Sequence, residues 1–353
     1  MTSVRRLGPV LRTLGFVLLA LLLCSAIFEF AGYSAWLLLV NIAEGAVLSP
    51  GAALTSIRWA LPLSITAVGV LICFRSGFFN IGAQGQFYFG AIACTFAAES
   101  LAGLPPTAVI PLAVGAGMAG GALWSAWPGY LRIRFGTDEV ITTLMGNFVA
   151  ALALLYVTSG PLKDPSGSGQ TSASRPVEAA YRISNASGVS ATIVVLAALV
   201  ILLGWLLMNR TALGALMRLA GRNPIMVTWQ GARLPTIGMT AFLIAGALAG
   251  LSGSVEVLGP NGRLVSDFLP AHGFTAVLIA LVAGGSVAAS ALISLFFGGL
   301  AAASLYLPVI AGLPAAAITM INAAIALFIT ARSLPAWRRW PRQRAAADKA
   351  PAP

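Results

Sequence analysis

Thirteen consecutive residues concentrate the chemistry of this chain: Phe74-Arg75-Ser76-Gly77-Phe78-Phe79-Asn80-Ile81-Gly82-Ala83-Gln84-Gly85-Gln86. Three amide side chains, Asn80, Gln84 and Gln86, fall between two long apolar runs, and a fourth, Asn147, lies inside another. An amide donates and accepts hydrogen bonds without carrying charge, so the set suits a neutral, hydroxyl-rich solute. Phe78, Phe79, Phe87 and Tyr88 offer aromatic faces beside it, though aromatic residues in such runs pack more often than they bind. Polar groups inside apolar surroundings are costly unless they pair or line a cavity. Glycines at 77, 82 and 85 let the backbone unwind and present its own N–H and C=O groups. A tight turn with glycine-mediated helix packing accounts for the same residues equally well on physics alone.

Other chemistries find little to work with. His272 is the one histidine, and Cys24, Cys73 and Cys94 lie in apolar runs without metal-ligand spacing, so no metal site is expected. No Gly-Lys dipeptide occurs, which excludes a Walker A loop and ATP hydrolysis by that route. No pair of catalytic acids or His–Glu cluster stands in the apolar runs.

The elements that must position the amides follow from composition. Apolar residues make up 58% of the 353 and charged residues 9%, against about 25% in soluble domains. So few charges cannot cover a water-exposed surface, and the chain reads as an all-α integral membrane protein. Ten runs approach the length that crosses a bilayer: Gly15–Phe30, Trp59–Phe74, Phe87–Leu101, Ala108–Leu131, Val140–Val157, Thr192–Met208, Ile237–Val257, Phe274–Ala283, Val287–Tyr306 and Ala315–Ala331. The eighth is too short to cross alone and ends at Gly284-Gly285, as a broken or re-entrant element would.

Arginine and lysine test that count. With the N-terminus inside, sixteen fall on the inner side and five on the outer. Making Ser34–Leu54 a further crossing gives 8 inside to 13 outside, and removing the eighth crossing gives 10 to 11. About ten crossings are therefore expected, with Ser34–Leu54 an interfacial or re-entrant segment on the outer side. The net charge of +11 is a topology signal, not a nucleic-acid footprint, because no polar scaffold interleaves the basic residues with stacking aromatics. Arg5 and Arg6 before an apolar core resemble a secretory signal, but further spans follow and a retained first helix is expected. Glu256 and Asp267 could shape the entrance or pair with Arg263, and solvation at the interface is the favoured expectation.

The thirteen-residue stretch resembles the signature of ABC-type importer permeases of the branched-chain amino acid and simple-sugar superfamily, and more narrowly of its nucleoside-type branch. Gly136-Thr137-Asp138-Glu139-Val140-Ile141-Thr142-Thr143-Leu144-Met145 through Asn147 resembles the segment opening the fifth span. Gly160-Pro161-Leu162-Lys163-Asp164-Pro165, Gly259 to Leu264 and Gly273-Phe274 keep the family's order. The likeness runs from about Trp59 to Arg332. Gln84 stands where the family usually has Glu, and Asp138 where Asn is more common.

The resemblance implies an importer permease fold with residues 1–12 cytoplasmic, a transmembrane permease domain over 13–333 and a basic tail over 334–353. It implies a multi-pass protein of the bacterial inner membrane with both termini cytoplasmic. It also implies a transport subunit, not an enzyme, that binds no cofactor. Two cytoplasmic ABC ATPases use the ATP, a second permease, like or unlike, completes the pathway, and a periplasmic or lipid-anchored binding protein delivers the solute. Purine nucleosides are the first expectation and simple sugars the alternative. Asn80, Gln84, Gln86 and Asn147 are the candidate pathway residues. The segment Arg222-Asn223-Pro224 to Gly231 resembles the family's ATPase-coupling helix. Asn223 is suited to cap that helix, Pro224 to open it and Gly231 to end it. Inside it, Ile225-Met226-Val227-Thr228-Trp229 replaces an expected Ala-Ala pair with bulkier residues. The reading from another class is an ion-coupled secondary transporter, which needs an ionisable group near mid-membrane, whereas the acids here cluster at span ends.

Overall fold

The computed structural model describes residues 19, 22–30, 32–166, 172–183, 189–266, 268–269, 271–310 and 319–324. Arg5, Arg6 and Arg12 with the 1–12 segment, Asp267, the 334–353 tail and all but residues 319–324 of the tenth run lie outside the described residues.

Helices account for nearly all of what is described. They are α1 (22–30), α2 (Ala35–Ala43, continued by a π-helical turn Glu44–Leu48), α3 (Ala52–Arg75), α4 (Ala83–Ser100), α5 (Pro106–Phe135) and α6 (Glu139–Ser159). After them come α7 (Ala191–Arg210), α8 (Ala212–Arg222), α9 (Pro224–Trp229), α10 (Leu234–Leu258), α11 (His272–Val282), α12 (Val287–Ile310) and α13 (319–324). Among the described residues there is no strand, only isolated bridges pairing Lys163 with Ser174 and Ala173 with Val265.

Among the described residues six helices are long and apolar enough to cross a membrane: α3, α5, α6, α7, α10 and α12 over Val287–Leu307. Exposed Ile141, Met145, Phe148, Leu152 and Tyr156 recur at helical spacing along α6, a face that suits lipid and not water. The chain is a multi-pass membrane protein.

Local sequence sets the helix ends. Asp138 accepts from the N–H groups of Val140 (2.8 Å) and Ile141 (3.3 Å) to cap α6. Ser190 caps α7 through Ile193 N–H, and Thr211 caps α8 through Gly214 N–H. Pro106 and Pro235 open α5 and α10, where a missing N–H costs nothing.

Residues 46–302 form one compact unit. Its centre is α10, which packs on α3, α4 and α5 and is buried at every residue from Ala249 to Leu258. Small residues make that possible. Gly117, Gly121 and Ser125 on α5 meet Gly246, Gly250 and Ser254 on α10, and a β-carbon at Gly121 would come within 2.8 Å of the Gly250 backbone. Ser125 Oγ donates to the Phe242 carbonyl across the same seam at 2.7 Å. Residues 1–45 and 303–353 belong to a second unit, in which Gly45 packs against Ala303 and Tyr306, and Cys24 Sγ reaches the Met320 carbonyl at 3.8 Å.

Candidate functional site

Between α3 and α4 the helical ladder breaks over residues 76–82. Ser76 still closes α3 through bonds to Ile72 and Cys73, and Gly77 then takes φ +85° to turn the chain. The unwound stretch is shorter than the sequence suggests, because α4 already begins at Ala83 and carries Gln84 and Gln86 in its first turn.

The freed backbone groups find partners on one stripe of α6. Phe79 N–H donates to Glu139 Oε1 (3.3 Å) and Ile81 N–H to Thr143 Oγ1 (3.2 Å). Asn147 uses both ends of its amide: Nδ2 donates to the Ile81 carbonyl (3.0 Å) and Oδ1 accepts from Gly85 N–H (2.8 Å). Glu139, Thr143 and Asn147 are four residues apart, one turn above another, so a single helix face grips the whole break. Arg132 holds Glu139 in place through an ion pair at 3.0 Å.

Within the break, Asn80 and Gln86 pair amide to amide. Asn80 Nδ2 donates to Gln86 Oε1 (3.2 Å), Gln86 Nε2 donates back to Asn80 Oδ1 (3.0 Å), and Gly82 N–H joins that oxygen at 2.9 Å. Gly82 leaves the pair room: a β-carbon there would stand 3.1 Å from Asn80 Oδ1 and 3.2 Å from Gln86 Nε2, and both amides would have to shift slightly. Gln84 points elsewhere. Its Nε2 donates to the Leu269 carbonyl (2.9 Å) and its Oε1 accepts from Gly273 N–H (2.5 Å), tying α4 to the start of α11. Leu269 takes φ +48°, which no other described non-glycine residue does, so a strained turn presents the carbonyl that Gln84 reads.

All four sequence-predicted amides are thus buried. Three gather at the break, and the fourth is a clasp between α4 and α11. Of the aromatic faces, Phe78, Phe87 and Tyr88 are buried as packing, and Phe79 is exposed and stacked on Phe74 at 4.3 Å.

Sequence reading did not find the partners of two further polar groups. His272 is buried, with Nε2 3.1 Å from both Thr66 Oγ1 and Ser252 Oγ, and its ring lies on Phe87 at 4.5 Å. Ser252 also donates to the carbonyl of Pro62, inside α3, at 2.9 Å. At the other end of α3, Glu256 is neither solvated nor paired with Arg263. It is fully buried, bonded to Arg58 at 3.0 Å and to Asn261 Nδ2 at 2.6 Å. Arg58 lies 4.0 Å over the Trp59 ring, while Glu256 Oε1, Arg58 Nη1 and Trp59 Nε1 are buried without a hydrogen-bond partner. Among the described residues no three His, Cys, Asp or Glu side chains gather closely enough to share a metal ion.

The 209–233 segment folds as two helices where the sequence suggested one. Asn223 caps α9 through Met226 N–H at 3.3 Å, Pro224 opens it, and Gly231 at φ +74° turns the chain out. Ile225, Met226 and Trp229 are exposed on α9 and Val227 is buried. Arg222 ends α8, whose Gly221 lies against the Arg75 carbonyl and the Gly77 backbone. The two-helix segment therefore touches the break directly.

Residues 52–331 match the family described as the permease component of branched-chain amino acid transport systems. The guanosine ABC transporter permease protein NupP of Bacillus subtilis is 31% identical over 333 residues, 92% of this chain and 94% of that protein. The glucose ABC transporter permease protein of Haloferax volcanii is 33% identical over 281 residues, 76% of this chain and 73% of its own length. The nucleoside ABC transporter permease protein NupB of Lactococcus lactis is 30% identical over 236 residues, 64% of each chain. A membrane protein built around a side-chain-gripped helix break, matched from α3 to beyond α12, belongs to the family of branched-chain amino acid transport system permeases, the membrane-spanning subunits of ABC transporters.

Proposed function

We propose that this chain is one permease of an ATP-driven importer for purine nucleosides. The observation that carries the reading is the similarity to the guanosine permease over 92% of this chain, nearly end to end in both proteins. The break agrees with it, because a neutral base and ribose need donors and acceptors, not a countercharge. Asn80, Gln84, Gln86 and Asn147 belong to the solute pathway. Their amides bond the backbone and one another, so contact with solute is an exchange of partners as α4, α6 and α11 separate. Simple sugars are the second reading, supported by the glucose permease among the relatives.

The remaining architecture follows the same proposal. Ten crossings place both termini in the cytoplasm of a bacterial inner membrane: the six long helices, α4, the short α11, and the runs at either end of the chain. Two cytoplasmic ABC ATPases supply the energy, a second permease completes the pathway, and a binding protein delivers solute from outside. The chain itself carries out no chemistry and needs no cofactor. Segment α8–α9, with Arg222, Asn223, Pro224 and Gly231, is the coupling element. Exposed Ile225, Met226 and Trp229 supply its contact with the ATPase, and Gly221 against Gly77 passes movement to the break.

Screening the cognate binding protein by thermal shift against nucleosides and sugars tests the substrate. Stabilisation by sugars with none by nucleosides rejects the nucleoside reading. Uptake that survives ATP depletion with the ion gradient held rejects the ABC reading in favour of ion coupling.

A further inference from the structure

At the Arg75 end of α3 a cavity of about 300 Å³ opens, lined by Arg75, Trp205, Asn209, Gly284, Gly285 and Ser286. We infer that it is a binding site for a phosphate group, carried by a membrane phospholipid or as a free anion. Three observations point the same way; of the residues they use, Arg218 and Arg222 lie on α8 and are shared with the proposed coupling element.

The first is charge without a partner. Arg218 and Arg222 add like charge around Arg75, and Arg210 lies 5.6 Å from the Trp205 ring. Among the described residues none of these four arginines is ion-paired; the two ion pairs are Arg58–Glu256 and Arg132–Glu139. Arg218 Nη1 is buried without any hydrogen-bond partner. Of the four, Arg75 lines the cavity itself, and phosphate matches its guanidinium in shape and charge.

The second is the wall opposite. Gly284 (φ +58°), Gly285 (φ +85°) and Ser286 lead into α12; Ser286 Oγ accepts from Ala289 N–H at 3.3 Å, and the helix N-terminus favours negative charge beside it. Gly285 lies beside the Arg75 side chain, where a β-carbon would make ordinary contact at 3.5 Å, and its φ of +85° favours glycine.

The third is position. Arg75 and Arg210 end α3 and α7, helices long and apolar enough to cross a membrane, and α12 begins here, which in the proposed topology puts the cavity at the membrane surface. Trp205 is the interfacial residue type, and exposed Leu199, Leu202, Leu203 and Leu206 continue along α7 from it, where acyl chains run. Basic pockets between helices at this depth hold lipid headgroups.

The full-length chain in detergent, observed by native mass spectrometry, distinguishes the sources. Three probes are used: phosphatidylglycerol, diacylglycerol of the same chains without the phosphate, and inorganic phosphate. Phosphatidylglycerol is expected to stay bound about tenfold better than diacylglycerol, the worth of one charge-assisted contact. Arg75→Ala, and separately Asn209→Glu at an exposed position, should remove that preference while the melting temperature holds. Asn209→Glu keeps the test decisive if Arg75→Ala fails to fold. Protection of the wild type by inorganic phosphate, lost in both variants, also supports the site and names a free anion as its ligand. Equal retention of the two lipids with no phosphate effect overturns the inference. So does a preference unchanged in both variants, or a loss of ATPase association in the variants with lipid retention intact.

Discussion

Two polar clusters are buried at opposite ends of α3, and they are satisfied by opposite means. At the Arg58 end, a full charge pair sits beside Asn261 with an oxygen and two nitrogens left over. At the Arg75 end, neutral amides close on the backbone and on each other, and none of their atoms is left buried without a partner. Breaking one half of a buried ion pair strands a charge, whereas breaking an amide pair strands only dipoles. The charged end is therefore the costlier place to cut, and the amide end is the easier place to open. A pathway that must exchange partners in every cycle is better built from the second kind of cluster.

The largest effect is expected from Glu256→Ala, which leaves Arg58 uncompensated and costs about 3–5 kcal/mol of stability. Thermal unfolding in detergent measures it. Replacing both charges, Arg58→Met with Glu256→Leu, should restore most of the loss. If the double variant stays as unstable as the single one, Arg58 and Glu256 do not act as a pair.

Next comes the amide end. Asn147→Ala orphans the Ile81 carbonyl and the Gly85 N–H, at about 1–3 kcal/mol for each group. Asn80→Ala should cost less, because Gln86 can turn to Gly82 N–H. Both variants are expected in the membrane at normal level with impaired uptake. Normal transport kinetics at equal level would reduce these residues to packing.

A smaller effect falls on the joint between the break and α8. Gly221→Ala pushes a methyl group against the Arg75 carbonyl, an overpacking cost of about 1–3 kcal/mol. ATPase stimulation by loaded binding protein should fall with it, and unchanged stimulation would remove the joint from the coupling route. The smallest change in stability, about 1 kcal/mol or less, is expected from Met226→Glu at an exposed position. Gly231→Trp meets open space but must hold φ +74°, which strains the turn modestly. Both should uncouple ATP hydrolysis from uptake, and variants that hydrolyse and transport normally would sink the assignment of α9.

Local signals were legible in the sequence and distant partnerships were not. The Asn223 cap, Pro224 after it, the turn at Gly231 and the positions of the long apolar helices all follow from neighbours in the chain. The start of α4 was read four residues late because Ala83-Gln84-Gly85-Gln86 is polar by composition, while in the fold its amides are buried and bonded. The spacing of Glu139, Thr143 and Asn147 announces one helix face, but its target is some sixty residues away. Glu256 was assigned to the interface because it lies near the end of a span, or to Arg263 as a neighbour in sequence, whereas its partner Arg58 stands 198 residues earlier. No periodicity or capping rule spans that distance.

The seam between α5 and α10 sets what the rest of the molecule is free to do. Where Gly117 and Gly121 meet Gly250, backbone lies on backbone and no side chain between them can change rotamer to absorb a shift. Such a joint either holds or parts completely. The two helices thus form a spindle, and a swing that opens a passage has to be taken up by elements hung around it. In deuterated solvent their amides should be the last of the molecule to exchange, while those of residues 76–82 and of α9 go first.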